Sequence, residues 1–287
     1  MIIMDLNQVM ISNLMAQIGN HTNIEIDENL LRHMILNTIR MNNKKFSKTY
    51  GELVIACDDK NYWRRDIFPH YKAHRKKDRD KSELDWKMIF GYLNKIRDDL
   101  KEHFPYKVIQ IDRAEADDVI ATLVEMFAEE QKILILSGDK DFIQLHRFKN
   151  VEQFSPILKK KIRHDDPVHY LKEHIVRGDR GDGIPNIASD DDTFVSNTRQ
   201  KPLRKNTYLN ILGNDIDQIC WDTHTFNRNW QRNRSIIDLS MIPNDIKEKV
   251  ADSYHQQENK QHNIIDYFIT HKLSSLTENI GDFYGDS

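Results

Sequence analysis

The sequence predicts an α/β fold with a central, mostly parallel sheet that is flanked by helices. Three observations support this prediction: short apolar runs that read as buried strands, amphipathic stretches between them in βαβ order, and acidic residues at the ends of most of the runs. Parallel sheets bring the carboxyl ends of their strands to one edge, so a ligand site is expected where those acids stand.

The predicted elements follow in order along the chain. Four apolar runs read as strands: residues 2–4, 51–57, 107–111 and 132–136. Seven stretches have the apolar spacing of helices: residues 27–41, 86–100, 115–130, 168–176, 207–221, 243–254 and 263–276. A glycine-rich turn is expected at 178–185 and a mobile loop at 189–205. We therefore predict an α/β core at residues 1–165 and a helical region at residues 166–287.

Composition limits the class of protein. The 287 residues are 39% hydrophobic and 30% charged, which is typical of a soluble globular protein with a charged surface. The sequence contains no apolar run of roughly 18 residues, and its first residues lack a signal-peptide pattern. We therefore expect a cytoplasmic protein without membrane contact. Cys57 and Cys220 are too few for a disulfide framework or a zinc site.

Eight carboxylates stand at predicted strand ends, at a predicted helix start or in the glycine-rich turn: Asp5, Asp58, Glu115, Asp117, Asp139, Asp141, Asp179 and Asp182. So many like charges in one place would repel one another unless cations lay between them, so the set predicts divalent metal ions and phosphoryl transfer. Singly, each acid also fits an ordinary role as a helix cap or turn residue. Asp139 and Asp141 are more specific, because alternate acids in a turn can share one cation.

A basic segment lies at residues 60–81, which contain nine Lys and Arg residues but only three Asp residues. Four aromatic residues are interleaved with these charges: Tyr62, Trp63, Phe68 and Tyr71. The segment can therefore offer both phosphate contacts and surfaces for stacking bases. Judged by charge alone, Lys72 and Arg75 fit slightly better as solvated residues on the exposed face of a helix than as residues with a function. Smaller basic clusters recur at 159–163, 199–205 and 228–234, and an acidic centre ringed by basic patches suits a polyanionic substrate.

Seven short motifs occur in a fixed order over nearly the whole chain: Tyr62-Trp-Arg-Arg-Asp66, Tyr71-Lys-Ala-His-Arg75, Glu115-Ala-Asp-Asp118, Ser137-Gly-Asp-Lys-Asp-Phe-Ile-Gln-Leu145, Phe154-Ser-Pro156, Gly178-Asp-Arg-Gly-Asp182 and Arg234-Ser-Ile-Ile-Asp-Leu239. As a set they resemble the 5′ nucleases of the flap endonuclease family. The resemblance implies a PIN-like nuclease core, a helical arch formed by the basic segment at 60–81, and a C-terminal DNA-binding region of the helix-three-turn-helix type.

The resemblance also implies an activity. It implies a Mg²⁺-dependent 5′→3′ exonuclease and flap endonuclease with ribonuclease H activity. Such an enzyme removes RNA primers from RNA–DNA hybrids and cuts 5′ ends or flaps of DNA in lagging-strand replication. A phage source and a monomer are implied as well, with a single-stranded-DNA-binding protein and a sliding clamp as candidate partners.

The resemblance assigns roles to individual residues. The tighter of two Mg²⁺ ions, for which Mn²⁺ can substitute, would be held by Asp5, Asp58, Glu115, Asp117 and Asp139. The second ion would be held by Asp141, Asp179 and Asp182. Lys72 and Arg75 would neutralise charge on the cleaved phosphate, and Tyr71 would stack on a base near the cut. Further contacts to nucleic acid are expected from cations of the basic segment and of the stretch at 199–205: Arg64, Arg65, Lys76, Lys77, Arg199, Lys201, Arg204 and Lys205.

The sequence departs from the family pattern after the glycine-rich turn. Many members have a Gly-x-Gly hairpin behind an Ile-Pro-Gly turn, whereas residues 184–189 here run into three consecutive Asp residues at 190–192. Neither a potassium site nor a tight duplex grip is therefore assumed at this element, and the basic stretch at 199–205 is expected to contact the duplex backbone instead. A sliding-clamp contact ahead of the first strand is not assumed either.

Two other function classes stay open at this point. A nucleic-acid-binding module without catalysis would have lost acidic residues, whereas all eight positions hold a carboxylate. A metal-dependent phosphatase for small phosphate esters often has an Asp-x-Asp pair on its first strand, and here that strand offers only Asp5. The basic and aromatic segment at 60–81 would also have no role in such a phosphatase.

Overall fold

The computed structural model describes residues 1–19, 26–221, 223–258 and 260–284. Within these ranges six strands form one sheet: β1 (Ile2–Asp5), β2 (Leu53–Cys57), β3 (Lys107–Gln110), β4 (Ile133–Leu136), β5 (Val151–Ser155) and β6 (Lys160–Ile162). Their spatial order is β3-β2-β1-β4-β5-β6, and only the β5–β6 pair is antiparallel. The predicted mostly parallel sheet is confirmed.

The same ranges contain twelve α-helices: α1 (Leu6–Ile18), α2 (Glu28–Tyr50), α3 (Arg64–Ile67), α4 (His74–Asp80), α5 (Trp86–His103), α6 (Ala116–Phe127), α7 (Pro167–Arg177), α8 (Lys205–Leu209), α9 (His224–Ile237), α10 (Asn244–Gln256), α11 (Ile264–Thr270) and α12 (Ser274–Thr277). Short 3₁₀ helices lie at Lys140–Arg147, Ile216–Gln218, Leu239–Met241 and Ile280–Phe283. Among the described helices, none combines the length and apolarity needed to cross a bilayer.

Several helix predictions need correction. The helix expected at 207–221 is wrong, because α8 ends at Leu209 and Gly213 has a φ of +71° that does not continue a helix. Helix α9 is absent from the predicted set, since its buried face contains the polar residues Asn229, Arg232 and Asn233, which conceal the apolar period. Helix α1 and strands β5 and β6 are also absent from the predicted set. Two of the three β6 residues are exposed, which weakens the apolar signal.

Apolar clusters cover both faces of the sheet. One face packs against α1, α2 and α5 together with α11 and α12, and the other packs against α6 and α10. A third cluster joins Phe68 and Tyr71 of the basic segment to α7 and α9. Helices α10 to α12 therefore bury their apolar side chains against the α/β core. The division of the chain at residue 165 stays a prediction.

Candidate metal and nucleic-acid site

Five of the predicted carboxylates lie at the carboxyl edge of the sheet. Asp5 ends the central strand β1, Asp58 follows its neighbour β2, and Asp139 follows its other neighbour β4. Glu115 caps the N-terminus of α6, and Asp117 lies in the first turn of that helix. From β1 the strand order runs to β2 and β3 on one side and to β4 and β5 on the other. The carboxyl ends of the strands at this reversal form the topological switch point at which open α/β sheets bind ligands. We call these five residues the sheet cluster.

Local hydrogen bonds orient two members of the sheet cluster. The two carboxylate oxygens of Asp5 accept hydrogen bonds from the backbone N–H of Gln8 and from the hydroxyl of Ser137, each at 3.0 Å. The Oδ1 atom of Asp58 accepts a hydrogen bond from the backbone N–H of Ala116 at 2.7 Å. Each carboxylate is thereby held in one orientation by the backbone elements that adjoin the site.

The sheet cluster is electrostatically unfavourable without cations. Burial, together with the charges of Asp58 and Asp139, raises the pKa of Asp5 to about 7. Burial is also the main cause that raises the pKa of Asp58, and burial together with Asp139 raises the pKa of Asp117 well above its ordinary range. A set of buried carboxylates that repel one another fits divalent cations, because such ions neutralise the charge and prefer oxygen ligands.

A second group lies beside the first and comes from different elements. Asp141 stands in the first turn of the 3₁₀ helix Lys140–Arg147, while Asp179 and Asp182 follow α7 in the glycine-rich turn. His174, in the last turn of α7, lies between two of these acids: its Nδ1 is 3.4 Å from Asp141 Oδ1, and its Nε2 is 3.1 Å from Asp179 Oδ2. We call Asp141, His174, Asp179 and Asp182 the loop cluster.

His174 is missing from the residues predicted on sequence. Its only sequence signal is its place at the end of a predicted helix, five residues before Asp179. Burial alone would lower the pKa of His174. The hydrogen bond to Asp179 and the charge of Asp141 outweigh that effect and raise this pKa. Burial raises the pKa of Asp141 itself to about 7.

The glycine-rich turn closes tightly behind α7. Gly178 has a φ of +65°, and a Cβ atom there would meet the carbonyl oxygen of Ile184 at 2.2 Å. A backbone bridge pairs Asp179 with Ile184, and the N–H of Asp182 donates to Asp179 Oδ1 at 3.1 Å. A residue without a side chain is required for this close approach, which sets both acids beside the end of α7.

Lys72 joins the two clusters. Its Nζ forms ion pairs with Glu115 of the sheet cluster and, at 3.5 Å, with Asp182 of the loop cluster. Its backbone N–H donates to the carbonyl of Asp182 at 2.8 Å. Burial disfavours the charged ammonium, but the charges of Asp182 and Glu115 outweigh that effect and raise the pKa of Lys72. Arg75 Nη2 adds a further contact to Asp182 at 2.6 Å.

Two predicted roles are not supported by this structure. Arg64 is only 3% exposed, and its guanidinium pairs with Asp118 at 2.7 Å and with Glu115 at 2.9 Å, so it is not available to a phosphate. The ring of Tyr71 is buried against apolar residues, so it is not available to stack on a base. Its hydroxyl instead donates toward Glu115 at 2.9 Å and Asp182 at 3.0 Å.

The other predicted nucleic-acid contacts lie on the surface. The side chains are exposed at seven positions: Arg65, Lys76, Lys77, Arg199, Lys201, Arg204 and Lys205. Lys201 pairs with the exposed Asp190 at 2.9 Å, a type of contact that contributes little and exchanges readily for another anion. These seven residues are therefore accessible to a phosphate backbone.

A recess joins the two clusters. Acids from both line it, as do apolar residues from the turn and from the end of α9; the lining residues are Arg64, Tyr71, Asp117, Asp141, Asp179, Asp182, Ile184, Ile236, Ile237 and Leu239. The recess therefore brings carboxylates from the sheet edge, from the 3₁₀ helix and from the glycine-rich turn into one acidic centre beside the basic segment.

Comparison with known proteins identifies the family. The model of the N-terminal, resolvase-like domain of 5′–3′ exonucleases matches residues 2–175, and the model of the T4 RNase H C-terminal domain matches residues 168–283. The chain belongs to the 5′–3′ exonuclease family. It is similar to ribonuclease H of Enterobacteria phage T4, with 34% identity over 98% of this chain and 95% of that protein. The 5′–3′ exonuclease of Buchnera aphidicola subsp. Acyrthosiphon pisum is 29% identical over 50% of each chain.

Solved structures of the same fold belong to a bacteriophage T5 protein. One is the T5 flap endonuclease with DNA and metal ions, with a TM-score of 0.66 and 18% identity over 90% of this chain and 99% of that chain. Another T5 structure, crystallised with metal ions, has a TM-score of 0.63 and 17% identity over 88% of this chain and 98% of that chain. The predicted fold and family are confirmed. The protein is a 5′–3′ nuclease, so the alternatives of a phosphatase and of a non-catalytic binding module fall away.

Proposed function

We propose that the protein is a Mg²⁺-dependent nuclease that removes RNA from the 5′ ends of RNA–DNA hybrids and cuts 5′ ends and flaps of DNA. The observation that carries the proposal is the meeting of the sheet cluster and the loop cluster at one recess, with Lys72 between them. The relatives support the substrate class, because one is named ribonuclease H and another is a flap endonuclease bound to DNA.

The carboxylates divide into two sets of ligands in this proposal. Asp5, Asp58, Glu115, Asp117 and Asp139 hold one ion. Asp141, Asp179 and Asp182 hold a second. Two ions held by these residues would supply Lewis-acid stabilisation and an activated water for the hydrolysis of a phosphodiester. Mg²⁺ suits these oxygen donors, and Mn²⁺ is the natural substitute.

Lys72 and Arg75 act on the substrate phosphate in this proposal. In the free protein Lys72 neutralises Glu115 and Asp182, and Arg75 neutralises Asp182. A phosphate bound between the two clusters would lie beside these cations, and a positive charge held there stabilises the additional negative charge of the transition state. Tyr71 positions Glu115 and Asp182 through its hydroxyl.

The exposed cations hold the nucleic-acid backbone. Arg65, Lys76 and Lys77 belong to the basic segment that borders the recess, and Arg199, Lys201, Arg204 and Lys205 form a second basic stretch. Side chains of this type neutralise phosphates without reading the sequence, which fits a nuclease that acts on ends and flaps. We further propose that the protein acts as a monomer in the cytoplasm of a phage-infected cell, with a single-stranded-DNA-binding protein and a sliding clamp as partners.

One cleavage assay tests the proposal. The protein is incubated with a nicked duplex that carries a 5′ flap and with an RNA primer annealed to DNA, each labelled at either end, in Mg²⁺, Mn²⁺ or EDTA. We expect short products from the 5′ end of both substrates in the presence of metal and none in EDTA. Binding without cleavage in either metal would contradict the proposal, and cleavage of only one substrate would contradict its range.

A further inference from the structure

We propose that His174 supplies a nitrogen ligand to the second metal ion, so that the loop cluster binds Mn²⁺ more tightly than Mg²⁺. The inference rests on the proposed function, because it concerns one of the two ion positions of that site. It names a ligand and a metal preference that the eight carboxylates alone do not imply.

The geometry of three side chains carries the inference. One ring nitrogen of His174 and one carboxylate oxygen from each of Asp141 and Asp179 lie within 4.8 Å of one another. Ligand atoms about 2.1 Å from a shared ion lie roughly 3 to 4 Å apart, so small side-chain rotations bring these three atoms to bonding distance. Both ring nitrogens face a carboxylate, so one can bind the ion while the other donates its N–H to an acid, the usual arrangement of a histidine ligand.

The imidazole is held in place before any ion arrives. The side chain of His174 is only 13% exposed. The ring of Tyr170, one helical turn earlier on α7, packs edge-on against it with ring centres 6.0 Å apart. Since α7 ends within the next turn at Gly178, the helix presents this ring directly at the glycine-rich turn. A ligand fixed in this way loses little conformational entropy when it binds.

Asp182, the third acid of the loop cluster, also contacts the basic segment. Its carboxylate accepts from Tyr71 at 3.0 Å and from Arg75 at 2.6 Å, and Lys72 lies 3.5 Å away. Its charge is therefore largely neutralised by the basic segment. The imidazole of His174 supplements the three acids of the loop cluster as a donor that, once its ligating nitrogen is deprotonated, adds no negative charge to the site.

The donor set decides the metal preference. Mg²⁺ binds oxygen almost exclusively, whereas imidazole nitrogen suits transition metals, and Mn²⁺ accepts both carboxylate and imidazole ligands. The sheet cluster contains only carboxylates, so it offers no such basis for preferring Mn²⁺. The two ion positions are thus expected to differ in metal selectivity.

Pulsed EPR of the Mn²⁺-loaded protein tests the inference directly. We expect a ¹⁴N coupling from one imidazole in the wild type, its loss in His174→Gln, and its retention in the control His169→Gln. His169 lies on the same helix but pairs with Glu173 and is 31% exposed. Calorimetric titration should show Mn²⁺ affinity at one position falling about tenfold or more in His174→Gln, with Mg²⁺ affinity changed by less than about threefold.

The outcomes separate this inference from the proposed function. Absence of a ¹⁴N coupling in the wild type, or an unchanged coupling in a correctly folded His174→Gln, overturns the ligand assignment whether or not the protein cleaves nucleic acid. Failure of the wild type to cleave in Mg²⁺ and in Mn²⁺ overturns the proposed function, even where the coupling is present. Circular dichroism of both variants establishes that they are folded.

Discussion

The sheet cluster and the loop cluster each hold several buried carboxylates close together, but the two clusters differ in how that negative charge is neutralised. In the sheet cluster, burial and neighbouring acids raise the pKa of Asp5 to about 7. In the loop cluster, burial would raise the pKa of Asp179 as well, but the hydrogen bond from His174 reverses the effect and lowers it. The loop cluster thus has a partner for Asp179 in His174 on α7, whereas the cations beside the sheet cluster, Arg64 and Lys72, pair with Glu115 and not with Asp5.

The largest expected effect comes from removing one carboxylate of the sheet cluster. Asp139→Asn should reduce cleavage by at least about 10³-fold, because the substitution removes a charged ligand from the more highly charged cluster. Affinity for DNA, measured in Ca²⁺ by fluorescence anisotropy, should change by less than about threefold, since the exposed cations remain. Single-turnover cleavage in Mg²⁺ gives the rate.

The matched control for Asp139→Asn is Asp252→Asn, an exposed aspartate on α10. This variant should cleave at the wild-type rate. A rate for Asp139→Asn within tenfold of the wild type would remove Asp139 from the proposed ligand set and with it the contrast between the two clusters.

Arg64 is one of two buried cations that pair with Glu115 of the sheet cluster, and its loss is expected to affect stability. Arg64→Met leaves the buried Asp118 without its ion-pair partner and removes one of the two cations that pair with Glu115, which should lower the free energy of unfolding by about 3 to 5 kcal/mol. Urea unfolding in EDTA measures the change. The neighbouring Arg65→Met, at an exposed position, should leave stability nearly unchanged and weaken DNA binding instead. Equal stability of the two variants would contradict this account of Arg64.

Lys72 tests the connection between the clusters. Lys72→Ala should slow single-turnover cleavage by about 10²-fold, because the variant loses the charge that is shared by Glu115, Asp182 and the incoming phosphate. DNA affinity should fall much less. Lys76→Ala, an exposed neighbour on α4, should weaken binding and leave the rate at saturation unchanged. An effect of Lys72→Ala on affinity alone would contradict its role at the reacting phosphate.

The sheet cluster is largely predictable from sequence. Each strand that ends at the site is a short apolar run, and the acid that follows is visible directly, as at Asp5 and Asp58. Parallel pairing then brings the ends of separate strands together without any knowledge of side-chain contacts. The acids that follow strands, Asp5, Asp58 and Asp139, and the order of the core elements follow from that reasoning, although β5, β6 and α1 do not.

Side-chain contacts are the part that sequence patterns do not predict. Arg64 and Tyr71 lie in a basic and aromatic segment, and only the packing of α9 and α6 around them shows that both are buried. His174 is one of 13 histidines, and its place between Asp141 and Asp179 depends on how α7 docks beside the 3₁₀ helix. These interactions join residues distant in sequence, so no local period reveals them.

The smallest expected effect is the contribution of Asp5 to the pH dependence of stability in the metal-free protein. The pKa of Asp5 is about 7 in the folded state against an ordinary value near 4, so the folded state binds the extra proton more tightly and stability falls as pH rises from about 4 to about 7. Asp5→Asn keeps the N-cap of α1 but removes the titrating charge. Its melting temperature in EDTA should therefore fall a few degrees less between pH 5 and pH 7.5 than that of the wild type.

The control is Asp27→Asn, at the exposed N-cap of α2, whose melting temperature should change with pH as that of the wild type does. The same pH dependence in Asp5→Asn would show that repulsion between the carboxylates of the metal-free sheet cluster does not limit stability.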